Sequence, residues 1–212
     1  MASPSARRKP PRKKPRKGQS TRMLTRAQVS TAVQTMAAPS GTARFAAGKA
    51  LSVTADKDPS RVYPHFAAIA ALLESDSKIV RWNALQIVAL LVPADTGRKL
   101  DALLDTYLAF IRGSNMVSAA NAIRGAGQIA RCRPDLLDRI IPAILEVERA
   151  TYETPECRNV AIGQALDALS ELGPSVCRRP EAAGFSRRQR ANTRAAVARR
   201  AARMTADLAS SA

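Results

Sequence analysis

The chain has 212 residues, with 34 Lys and Arg against 17 Asp and Glu and a net charge of +17. Aromatic residues make up 4%, too few for a row of base-stacking platforms. One histidine, His65, excludes a multi-histidine metal site, and three scattered cysteines without a CxxC spacing support neither a zinc ribbon nor a disulfide framework.

The charge is unevenly divided. Residues 1–26 hold ten basic residues and no acid, residues 178–212 hold nine Arg against two acids, and 27–177 balances 15 bases with 15 acids. The N-terminal run ARRKPPRKKPRKG has no large apolar residue. It has too little to bury to offset its ordering entropy, which predicts a disordered basic tail over 1–26. Arg7, Arg8, Lys9, Arg12, Lys13, Lys14, Arg16 and Lys17 are its candidate phosphate contacts. No apolar stretch follows as in a secretory signal, and the prolines break an amphipathic presequence helix. The apolar-rich uncharged stretch Trp82–Ala94 is 13 residues long and includes Asn83, Gln86 and Pro93, so no membrane span is predicted.

Residues 22–38, with Met23, Leu24, Val29, Val33 and Met36, predict one helix capping the N-terminal end. From residue 39 the apolar spacing is helical throughout, with helices expected near 41–54, 61–74, 77–92, 98–112, 115–131, 134–149 and 156–172. Asp76, Ser77 and Ser114 are candidate N-caps, and Pro134 and Pro155 suit a first helical turn. These helices repeat. Ala84-Leu85, Ala122-Ile123 and Ala161-Ile162 recur 38 and 39 residues apart, with Val88, Ala126 and Ala165 in register. A two-helix unit of this length is an α-solenoid signature. Gly125, Gly127 and Gly163 would each cost about 1 kcal/mol inside a helix, which points to close helix packing.

Three segments carry a family resemblance: DSKIVRW (76–82), AIRGAGQIA (122–130) and ECRNVAIG (156–163). They resemble HEAT repeats, in particular those of small prokaryotic HEAT-repeat proteins of undefined role. DSKIVR follows the family's Asp-x-x-x-Val-Arg pattern. The resemblance implies that Asp76 caps the second helix of its unit and that Arg81 and its equivalent Arg158 join a ladder between units. The middle unit has Ala119 at that position, and Pro155-Glu156 stands at the turn of the third. The resemblance covers about 41–172 and implies a concave face, lined by second helices, that binds a protein. Arg81, Trp82 and Arg158 are the candidate protein contacts on that face.

The remaining chemistry is sparse. No phosphate-loop, dinucleotide, HExxH or GxSxG motif is present. Cys157 has no histidine near it in sequence, so a structural cysteine is expected, and His65 reads as a surface or cap residue. Asn83 and Asn121 stand 38 residues apart, as members of an inter-unit polar rung would. The segment 186–204 predicts a basic C-terminal helix capped by Ser186, with Val197, Met204 and Leu208 as a narrow apolar strip. Its arginines Arg187, Arg188, Arg190, Arg194, Arg199, Arg200 and Arg203 are further candidate nucleic-acid contacts.

The expected architecture is all-α: about three HEAT-like helix pairs plus a leading helix over 27–177, a disordered basic tail over 1–26, and a basic Arg/Ala-rich helix and tail over 178–212. The expected function is a non-enzymatic, cytoplasmic binding module, with the nucleoid as one destination. Its solenoid takes a protein, and its tails give DNA or RNA a sequence-independent grip. No cofactor, metal or membrane is called for, and the oligomeric state stays open. The alternatives are a protein scaffold with inert tails and a HEAT-like DNA glycosylase, whose aromatic and acidic groove these repeats do not reproduce.

Overall fold

The structure, a computed structural model, describes residues 23–210, with side chains through Ala206. The predicted tail residues Arg7 to Lys17 and the side chain of Leu208 lie outside that description. Twelve α-helices follow one another, linked by turns and short 3-10 segments, and no strand occurs among the described residues. They are α1 (Arg26–Ala37), α2 (Ala43–Lys57), α3 (Pro59–Val62), α4 (Phe66–Ala71), α5 (Lys78–Leu91), α6 (Lys99–Ala109), α7 (Met116–Cys132), α8 (Leu137–Leu145), α9 (Pro155–Glu171), α10 (Pro174–Cys177), α11 (Pro180–Gln189) and α12 (Ala195–Ser210).

Local chemistry sets the helix starts. Thr25 and Gln28 form a reciprocal capping box that opens α1. Thr154 accepts from the Cys157 amide to open α9, with Pro155 in the first turn where its missing N–H costs nothing. Asp95 is buried and accepts from the amides of Lys99 and Leu100 at 2.9 Å each, and from the Tyr63 hydroxyl at 2.6 Å. One carboxylate thereby starts α6 and ties it to the preceding unit. Two expected caps differ. Asn115, not Ser114, caps α7 through the Ser118 amide. At α5, Ser77 holds the cap position without a side-chain bond, and Asp76 is exposed.

The helices stack as five pairs among the described residues: α1 with α2, α3–α4 with α5, α6 with α7, α8 with α9, and α11 with α12. Each second helix packs on the next, so α2, α5, α7, α9 and α12 form one unbroken row. The repeat positions read from the sequence are all core: Ala84, Leu85, Ala122, Ile123, Ala161 and Ile162 are buried, as are Val88, Ala126 and Ala165. Gly125 is the closest approach. A Cβ there would overlap the Tyr107 hydroxyl, which donates to the Leu85 carbonyl at 2.9 Å. At Gly127 it would lie 3.3 Å from the Cβ of Ala168 on α9. Both glycines serve packing, as their position in a helix interior implied.

The stack is longer than the periodicity indicated. At the N-terminal end, α1 buries Val29, Val33 and Met36 against α2, so the expected lone leading helix is the second member of a complete pair. At the C-terminal end, Phe185 and Ala182 of α11 and Val197, Ala201 and Met204 of α12 join the same core. Helix packing therefore runs past residue 177, where the repeat domain was expected to close. The single helix expected over 186–204 is broken at 190–194. Ser186 sits buried inside α11, where its hydroxyl donates to the Ala201 carbonyl at 3.0 Å. The Ala and Arg propensities favour a continuous helix. The break follows from tertiary packing: Asn192 accepts from the Arg194 amide and donates to Asn159 of α9, fixing a turn that folds α12 back onto α11.

Candidate functional site

The row of second helices presents one surface across all five pairs. Between α2, α5 and α7 it holds a groove of about 170 Å³ lined by Asp56, Gln86, Leu90, Asn121, Arg124 and Gln128. Gln86 and Arg124 are exposed and occupy matching turns of neighbouring helices. Arg124 reaches Gln164 of α9 at 3.4 Å, which carries the polar track into the fourth pair. Arg199 and Arg203 are exposed on α12, in the fifth pair. A larger hollow of about 500 Å³ opens between the first helices α8 and α11. There Glu148 is already bound by Arg188 and Gln189, which makes the hollow a seam between units.

The candidate protein contacts are not brought into one cluster. Arg81 and Trp82 sit near the start of α5, whereas Arg158 sits in the first turn of α9, with α7 between. Trp82 is half-buried, and its indole N–H donates to the Ser118 hydroxyl of α7 at 3.0 Å, closing the edge of the core between two second helices. Arg81 is half-buried, and its Nε is buried without a hydrogen-bond partner. Arg158 is exposed beside Tyr152 and Glu153. No hydrogen bond or ion pair joins either arginine to another unit among the described residues, so the ladder implied for them does not form. Other residues carry that edge. Glu153 accepts from the Asn115 side chain and the Met116 amide, and Glu156 pairs with Arg194. Asn83 and Asn121 form no rung: Asn121 donates to Val117 of its own helix, and Asn83 lies against Gly48.

The arginines of the last pair divide into two sets. Arg188 binds Glu148, Arg194 binds Glu156 and Arg200 binds Asp167, each acid belonging to the fourth pair. Arg179, at the start of α11, reaches Asp138 of α8 at 2.5 Å in the same way. Arg187, Arg190, Arg199 and Arg203 are exposed and form no ion pair among the described residues. Composition gave no means of separating these sets. The signal that could have done so is the repeat period, because the paired residues lie 33 to 41 positions apart.

Four further groups, at three places, have shifted protonation. Arg133 holds the Asp135 carboxyl down to about 2 and, with Arg98, also lowers Asp101, forming a four-charge knot between the third and fourth pairs. Burial raises the Asp167 carboxyl, against the opposing pull of Arg200. Burial also pushes the Tyr152 phenol up to about 12, while its hydroxyl donates to the Ile111 carbonyl at 2.6 Å. These are tethers between units. His65 lies half-buried in a 3-10 turn of the second pair, and Cys157 lies at the start of α9 in the fourth, so no cysteine–histidine pair is built. Among the described residues no helix is long and apolar enough to cross a membrane.

No family model matches the chain, and no curated protein does. Among solved structures it is similar to a designed armadillo repeat protein, with a TM-score of 0.54 and 14% identity over 85% of this chain and 82% of that one. With the five stacked pairs, that likeness defines the class: this is an all-α helical-repeat solenoid.

Proposed function

We propose that the chain is a non-enzymatic binding module, a HEAT-like solenoid whose second-helix face takes a protein partner while its basic segments add affinity for nucleic-acid phosphate. The observation that carries this reading is the unbroken row α2–α5–α7–α9–α12, along which Gln86, Arg124 and Gln128 line an open groove at the surface. Stacked repeats characteristically use such an extended face for binding. The charge supports the second half of the reading, since ten bases and no acid stand in residues 1–26. Residence in the cytoplasm, with the nucleoid as one destination, belongs to the same reading.

A display library of random peptides selected on the immobilised full chain tests the protein-binding half. Selected peptides are expected to lose at least about tenfold in affinity for Arg124→Ala/Gln128→Ala, a loss of ~1.4 kcal/mol. Arg112→Ala, on the first-helix side, is expected to leave binding unchanged. Equal binding to all three proteins, or loss only with Arg112→Ala, overturns the assignment of the face.

The reading with inert tails draws on one observation: three of the seven candidate arginines between 187 and 203 are occupied by carboxylates of the neighbouring pair. Their charge serves the stack. The glycosylase-like reading needs Trp82 free to meet a base. Its half-buried indole, held by Ser118, lends that reading no support.

A further inference from the structure

Residues 182–206 contain seven arginines and no acid. A segment so biased would be expected to repel itself unless the fold supplied counter-charges. The fold supplies three, Glu148, Glu156 and Asp167, all from the fourth pair. The other four arginines face solvent in two couples. Arg187 and Arg190 stand at the C-terminal end of α11, and Arg199 and Arg203 stand four residues apart on α12. The other exposed α12 positions with described side chains are Ala195, Ala202 and Ala206, so among them nothing bulky or acidic interrupts the couple. Among the described residues the Asp167 carboxylate feels the charge of Arg203, and Arg200 already pairs with it at 3.1 Å.

We infer that the exposed arginines of the fifth pair, Arg187, Arg190, Arg199 and Arg203, form folded phosphate contacts for duplex nucleic acid. This rests on the polyanion half of the proposed function and adds a location: part of the grip is on the folded solenoid, at its C-terminal end, and is separable from residues 1–26. Duplex fits the site better than single strands, because the described surface of α11 and α12 bears no exposed aromatic ring on which bases could stack. Guanidinium groups held on helices approach phosphates with less ordering cost than groups on a flexible segment. The contacts are to backbone phosphate and carry no base readout, so affinity is expected to be insensitive to sequence.

The test uses the full chain and a fluorescein-labelled 20-base-pair DNA duplex, titrated from about 50 to 200 mM salt. Each phosphate contact contributes about −0.9 to the slope of log K against log salt. Arg187→Gln/Arg190→Gln/Arg199→Gln/Arg203→Gln is expected to make the slope shallower by about 3 to 4 and to weaken binding at least about tenfold at low salt. Its thermal midpoint should match that of the wild type, because none of the four forms an ion pair among the described residues. Arg188→Gln/Arg200→Gln is expected to lower the midpoint while keeping the slope within about one of the wild-type value. A steep wild-type slope that the quadruple substitution leaves intact would overturn this site, leaving phosphate affinity to residues 1–26. No salt-dependent binding by the wild type would overturn both this site and the polyanion half of the proposed function.

Discussion

Arg188 of α11 clasps Glu148, forty residues earlier, at two points: Nε donates to one carboxylate oxygen at 3.1 Å and Nη2 to the other at 2.6 Å. Gln189 donates to the same carboxylate at 2.6 Å. Glu148 closes the first-helix segment of the fourth pair, so this clasp fixes how the fifth pair seats. Arg188 is more than half exposed, which screens the interaction. Arg188→Gln is expected to cost about 0.5–1 kcal/mol and to lower the thermal midpoint by ~1–3 °C. Calorimetry at low and high salt checks this, because the difference should shrink as salt rises.

Truncation after Cys177 is expected to be far more damaging than the loss of any one clasp. It removes Phe185, Val197 and Met204 from the core and uncovers the side of α9 on which α12 rests. Each such side chain contributes about 1.5–3 kcal/mol when fully buried. The expected outcome is a midpoint lower by about 10 °C or more with new binding of an apolar dye, read by thermal melting and fluorescence. A truncated chain as stable as the full one would make 178–212 an appendage.

Gly125 and Tyr107 should prove strongly coupled. Gly125→Ala gains about 1 kcal/mol of helix propensity but drives a methyl into the Tyr107 hydroxyl, with overpacking that costs about 1–3 kcal/mol. Tyr107→Phe removes the obstructing oxygen at the expense of its bond to Leu85, about 1 kcal/mol. A double-mutant cycle by chemical denaturation should show the pair less destabilised than the sum of the singles, by ~0.5 kcal/mol or more.

The knot at Asp135 predicts a pH signature. Arg133 depresses this carboxyl to about 2, whereas an unfolded aspartate titrates near ~3.9. A depressed folded value means that the stabilisation is complete above about pH 4 and lost as pH falls through about 2. Arg133→Gln should therefore lower the midpoint at pH 5, and its deficit against the wild type should shrink between about pH 4 and 2. A deficit constant across that interval would contradict the role given to the pair.

The second helices were legible because their small and apolar residues recur at a fixed period, from Ala84 to Ala122 to Ala161. The fifth pair was not legible for two reasons. Arginine-rich composition around Val197 and Met204 masked its apolar stripe, and Ala191-Asn192-Thr193 lacks the Gly or Pro that punctuates turns elsewhere. The first pair was half-legible, since Val29, Val33 and Met36 have helical spacing but no counterpart in the repeat alignment. At the binding surface, sequence identified the arginines and could not sort them. Whether Arg188 or Arg187 is free depends on where Glu148 lies, and that depends on how one pair rotates against the next.

Both proposed surfaces stand on α12 being the fifth second helix of one stack. Hydrogen exchange of the free full chain measures this directly. Amides over 197–206 are expected to be protected at opening free energies comparable to those of α9, because Val197, Ala201 and Met204 are buried in the shared core. Exchange of those amides at unfolded-chain rates, beside a protected α9, would contradict the five-pair solenoid and with it the extension of the binding face to its C-terminal end.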